Sequence, residues 1–193
     1  MRPHACRLNI FAAIAAVIVL CGIAGPASAA SVEEQRNEIR KMRKDTLARL
    51  YKVHPAAQSN IQKAAGYAVF SNIGINLIFL SAAGGSGVAH NNQSGKDIYM
   101  KMVSGGLGIG LGVKDFRGVF VFSNQKVFKQ FVESGWEASA QADAAAKSGG
   151  KGGAAAGAIT VAPGVDLYQL TENGLALQAT IQGTKYYKND DLN

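Results

Sequence analysis

The 193-residue sequence predicts an α+β fold: a largely antiparallel, strongly bent or barrel-like sheet, an N-terminal helix pair and one further helix. Three observations carry that expectation. A capped amphipathic helical pattern comes first. Many short alternating segments joined by tight turns come after it. Glycines inside those segments mark bends in the sheet.

The fold is expected to begin after a leader. Arg2 and Arg7 precede an apolar run from Ile10 to Ala24, and Pro26-Ala27-Ser28-Ala29-Ala30 ends on small residues. A basic start, a short apolar stretch and an Ala-x-Ala site describe a secretory signal peptide, residues 1–29. The run is too short for a membrane span. Lipidation at Cys21 is disfavoured because Leu20, a large residue, precedes it. Residues 30–193 then form a single domain, expected in the periplasm or outer envelope. Cys6 and Cys21 both leave with the leader, so the mature chain offers no disulfide, thiolate ligand or cysteine nucleophile.

Removing Arg2 and Arg7 leaves 18 basic against 13 acidic residues, a net charge of +5. That balance suits an anionic partner. Export argues against nucleic acid, and leaves lipid headgroups or an acidic polymer.

Residues 31–52, SVEEQRNEIRKMRKDTLARLYK, predict a helix. Ser31 and Glu34 form a capping-box pattern. Val32, Ile39, Met42, Leu47 and Leu50 recur near helical spacing, with Arg36, Arg40 and Arg43 on or beside that stripe. The window carries seven bases and four acids. Pro55 stops it, and a short second helix is expected over 56–64. Strands are expected at Tyr67–Phe70 and Ile75–Leu80. Ala83–Gly87 reads as a turn or a very tight crossing, and His90–Lys96 as a polar loop. In Asp97–Val103, Ile98, Met100 and Met102 share one face.

Residues 105–113, GGLGIGLGV, raise the question of a phosphate loop. The dinucleotide pattern fails because Leu111 and Val113 stand where its third glycine belongs. Neither Gly95-Lys96 nor Gly150-Lys151 is followed by Ser or Thr, so no Walker A motif exists. The alternation predicts a strand with one bare face, for close packing or a shallow acyl groove. Lys114–Arg117 turns into the strand Val119–Phe122. Ser123 is the expected cap of a helix whose face is Val127, Phe128, Phe131 and Val132, stopped by Gly135. In 136–146 alanine content favours helix and the alternation favours strand; the period decides for strand. Residues 147–157 read as a Gly/Ala/Lys loop. Val165–Leu170, Glu172-Asn173-Gly174 and Leu175–Ile181 form a hairpin. Tyr186-Tyr187 and a polar tail end the chain.

Catalytic signatures are weak. His54 and His90 have no second histidine at ligand spacing. Ser86 misses the nucleophile elbow because residue 88 is Val. Asn92-Gln93-Ser94 fits a glycosylation sequon. No cofactor is expected, and Trp136 is expected to be buried.

Several ordered segments resemble the SYLF-domain family. They are Lys63–Phe70, Gly84–Val88, the glycine strand, Val119–Phe122 with its following helix, Gly174–Leu177 and Gly183–Tyr187. The resemblance covers roughly residues 55–190. Eukaryotic members bind phosphoinositides and are associated with actin and membrane traffic; bacterial members are exported. The resemblance therefore implies a lipid- or membrane-binding module rather than an enzyme. The bases of the first helix, Arg36, Arg40, Lys41, Arg43 and Lys44, are the expected contacts for anionic phospholipid. Lys114, Phe116 and Arg117 at a strand turn are a second candidate contact. The alternative is an envelope scaffold that docks another protein without catalysis.

Overall fold

The structure is a computed structural model that describes residues 31–72, 84–104, 117–138, 157–171, 174–176 and 183–193. The leader, the expected strand 75–80, the glycine strand 105–113 and most of segments 136–146 and 147–157 lie outside these residues, as do Lys114 and Phe116.

Helix α1 spans Val32–Val53 and α2 spans Ala56–Lys63. The capping box forms: Glu34 N–H donates to Ser31 Oγ at 3.2 Å, and Ser31 N–H to Glu34 Oε2 at 2.6 Å. Such a cap contributes about 1 kcal/mol. Pro55 caps the start of α2. The α2 C-terminus is held by a side chain, since Asn92 Nδ2 donates to Ile61 O at 2.7 Å and Ala64 O at 2.9 Å.

Nine described strands follow: β1 (Gly66–Ser71), β2 (Gly84–Asn91), β3 (Asp97–Ser104), β4 (Arg117–Phe122), β5 (Trp136–Glu137), β6 (Ile159–Ala162), β7 (Val165–Thr171), β8 (Gly174–Ala176) and β9 (Thr184–Lys188). They form one curled half-barrel sheet in the order β5-β9-β3-β2-β1-β4-β7-β6, with β8 also on β7. Every pairing is antiparallel. Helix α3 (Gln125–Ser134) lies between β4 and β5 in the chain.

Both faces of the sheet are covered, so its central strands are apolar on consecutive residues. On one face Phe70, Phe120, Phe122, Met100 and Leu167 pack with Phe128 and Phe131 of α3. On the other, Val69, Val88, Val119 and Tyr168 pack with Ile39, Met42 and Leu50 of α1 and Ile61 of α2. The period of two sends alternate residues of β1 and β4 to opposite cores. Burying each of these side chains contributes roughly 1.5–3 kcal/mol.

Three expectations need correction, and one segment gains an element. Gly84–Gly87 is not a turn but the first half of β2, paired with both β1 and β3. Its glycines serve contact: a Cβ on Gly87 would lie 2.5 Å from Val69 O and against the Phe70 ring. The cap of α3 is Asn124, whose Oδ1 accepts from Val127 N–H at 3.0 Å; Ser123 still belongs to the preceding turn, its N–H bonded to Gly164 O. The loop expected from His90 starts later, because β2 continues through Asn91. Tyr186-Tyr187, given no element by the sequence, belong to an inner strand, β9, paired with β3 and β5. The stop at Gly135 is as expected, with φ +72° that a side chain rarely adopts.

Candidate functional site

The candidate surface is built on α1. Its inward stripe, Ile39, Met42, Thr46 and Leu50, is buried against the sheet. Arg36, Arg40 and Arg43 flank that stripe, so docking the helix brings them onto the protein rather than leaving them outward. Arg36 Nε donates to Leu192 O at 3.0 Å, and its guanidinium lies 5.7 Å from the Tyr99 ring centroid. Arg40 Nη1 donates to Tyr99 Oη at 2.7 Å, and Nη2 to Glu33 Oε1 at 2.5 Å. The Arg40 hydrogen bond holds the Glu33 carboxyl below its usual range, and Glu33 in turn raises Arg40. Arg43 Nη1 donates to Asp97 Oδ1 at 2.6 Å.

The same Asp97 oxygen is 2.6 Å from His90 Nδ1. Asp97 therefore joins α1, β2 and β3 through one carboxylate. Tyr67 packs beside this group, its ring centroid 5.3 Å from that of His90 and tilted by 42°. Burial, foremost, raises the Tyr67 hydroxyl above its ordinary value; nearby Arg43 opposes the rise and Asp97 adds to it.

Lys41 and Lys44 face outward and are exposed, as is Lys52. At 100° per residue Lys41, Lys44, Ala48 and Lys52 fall in one stripe opposite the buried one, with the exposed acids Glu34 and Asp45 beside it. Among the described residues none of the three lysines has a hydrogen-bond or ion-pair partner. The five predicted contacts thus separate. Three arginines hold the helix down, and two lysines look outward with a third, Lys52, that sequence reasoning had not singled out.

Arg117 begins β4 and is partly buried; its Nε has no partner among the described residues. It stands in a strand register opposite Ser71 and Leu170, not at the tip of a turn. Trp136 is half-buried, its ring 5.7 Å from Phe120 and 5.8 Å from Tyr186. The Asn92 sequon is a structural cap, because both its amide hydrogens are used on α2 carbonyls. No group of three or more metal-ligating side chains occurs among the described residues. No described helix is long and apolar enough to cross a membrane.

Two grooves border these elements. One, of 540 Å³, runs between Arg36, Tyr99, Val132, Lys188 and Asn193. The other, of 420 Å³, lies beside α3 between Val127, Phe131, Trp136, Pro163 and Val165, with Lys126 at its edge.

No family model matches the chain. It is 38% identical over 162 residues to Beta cell expansion factor A of Aeromonas veronii, a match that takes in 84% of this chain. The chain spans 60% of the length of that curated relative. At this identity and coverage the two are homologous over most of the present sequence.

Proposed function

We propose that this chain is an exported, non-catalytic lipid-binding protein of SYLF type, which engages anionic membrane surfaces in the cell envelope through the outward edge of α1. The observation that supports this reading is the stripe of Lys41, Lys44 and Lys52, unpartnered among the described residues, on a helix whose opposite side is fixed to the sheet. A docked helix holds its lysines in a fixed row, so several can meet one surface together. Each base near an anionic bilayer contributes on the order of 1 kcal/mol. Long lysine side chains reach headgroups while the helix itself stays on the protein. Salt screens such contacts over about 10 Å at 0.1 M.

Purified mature protein is expected to co-float with vesicles of phosphatidylglycerol and phosphatidylcholine and to release as salt rises. Replacing Lys41, Lys44 and Lys52 by Ser is expected to weaken binding about a hundredfold. Replacing the three arginines would disturb docking as well and is the poorer test. Flotation that persists unchanged in the lysine variant excludes α1 as the contact, and no flotation at low salt excludes the function.

The alternative is an envelope scaffold. It draws on β5 and β6, the end strands of the sheet among the described residues, where an added strand could pair. It predicts a discrete crosslinked protein complex and no flotation.

A further inference from the structure

The 420 Å³ groove beside α3 lies on the face of the sheet opposite α1. Its walls are Val127 and Phe131 from the helix, Trp136 from β5, and Ala162, Pro163 and Val165 from the β6–β7 turn. Asn124, Gln130 and Lys126 supply the polar positions, and among the described residues no carboxylate lines it. Lys126 is exposed and has no partner among the described residues. An apolar trough with one unpaired ammonium at its edge complements an apolar chain ending in one negative charge.

We propose that this groove binds a single-chain fatty acid, its hydrocarbon along Val127, Phe131 and Trp136 and its carboxylate at Lys126. The volume falls near the lower end of small-ligand pockets, which favours one acyl chain over the two of a phospholipid. The lone charge matches a carboxylate rather than a doubly charged phosphate. Trp136 has its other contacts in the aromatic core, where Phe120, Phe131 and Tyr186 surround it, so that wall is rigid. This site goes beyond membrane capture by α1 and does not depend on it.

Trp136 is the only tryptophan in the sequence, so it reports this groove directly. The full mature chain would be titrated with a bromine-labelled dodecanoic acid below its micelle concentration, reading tryptophan fluorescence. Saturable quenching is expected, reversed by unlabelled dodecanoate and not by a cationic amphiphile of equal chain length. Lys126→Ser is expected to weaken binding about tenfold. Ala162→Phe, which fills the trough, is expected to abolish quenching while the melting temperature and vesicle flotation are retained. Lys126→Ser tests the head-group contact without touching the core, should Ala162→Phe fail to fold. Absence of quenching overturns the proposal, as does equal quenching in Lys126→Ser or reversal by the cationic amphiphile. Occupation of the groove by residues 139–156 would appear as no quenching and would likewise overturn it. Flotation measured on the same samples reads the α1 function separately.

Discussion

Asp97 shows how one side chain can organise a surface. Its Oδ1 receives Arg43 from α1 and lies within hydrogen-bond distance of His90 from β2. These side chains keep roughly a fifth to a quarter of their surface exposed, so the pair is shielded from solvent without being fully desolvated. Asp97→Ala is expected to cost about 2 kcal/mol in urea unfolding, because Arg43 loses its carboxylate. Adding Arg43→Met should recover part of that loss, since an apolar pair leaves no unmatched charge. Tyr186 is a different case. Its hydroxyl is buried without a partner among the described residues, and burial raises its pKa far above the ordinary 10.0. The folded phenol stays protonated where the unfolded one ionises. The stability it supports is therefore full below pH 10 and falls as pH rises beyond it. Tyr186→Phe is expected to flatten alkaline unfolding followed by circular dichroism, and to leave stability at neutral pH unchanged or higher by about 1 kcal/mol.

At the scale of elements, local chemistry was legible where it repeats or caps. The Ser31 and Glu34 box, the stripe of α1, the strand face of Ile98, Met100 and Met102, and the stop at Gly135 were all readable from spacing. Elements without a marked boundary were missed. β6 is four residues, Ile159–Ala162, after a Gly/Ala-rich stretch, and nothing local separates it from a loop. β9 alternates, with Thr184 and Tyr186 buried and Lys185 and Tyr187 exposed, yet it is five residues long and its lysines lead directly into the polar tail. Gly84-Gly85-Ser86-Gly87 has a composition that suits a turn or a very tight crossing equally, and neither marks it as a strand. The strand uses those glycines to bring β1 and β3 close, an interaction with no local signature. Gly87→Ala is accordingly expected to cost about 3 kcal/mol or more, read as a lowered melting temperature, since its Cβ would meet the Val69 carbonyl and the Phe70 ring.

Over the whole molecule, α1 is held from two directions. Its apolar stripe rests on the sheet, and the C-terminal segment closes over its first turns. Leu192 is buried in the α1-side core, and its carbonyl accepts Arg36. Asn193 brackets Tyr99 of β3: its Nδ2 donates to Tyr99 O at 2.8 Å, and its Oδ1 accepts Tyr99 N–H at 3.0 Å. Truncation after Lys188 is expected to speed hydrogen exchange in α1 while β1 and β4 keep their protection. Equal loss across helix and sheet would show that the segment stabilises the fold as a unit instead. Lys41, Lys44 and Lys52 lie away from these contacts, so vesicle binding in the truncated protein tests whether the lysine row needs a fixed helix.

The sequence alone determined the α+β class, the capped basic helix and the positions of the apolar faces. Those properties follow from period, caps and composition, which act over a few residues. It also placed Arg36, Arg40 and Arg43 beside the apolar stripe, but not what they would meet. Only the tertiary structure decided that, because Tyr99, Asp97 and Leu192 lie more than fifty residues away in the chain. Pairing with those distant groups turns the arginines into clamps. The outward face of α1 keeps Lys41, Lys44 and Lys52 with Glu34 and Asp45 beside them, and the tract between α3 and the β6–β7 turn becomes a groove.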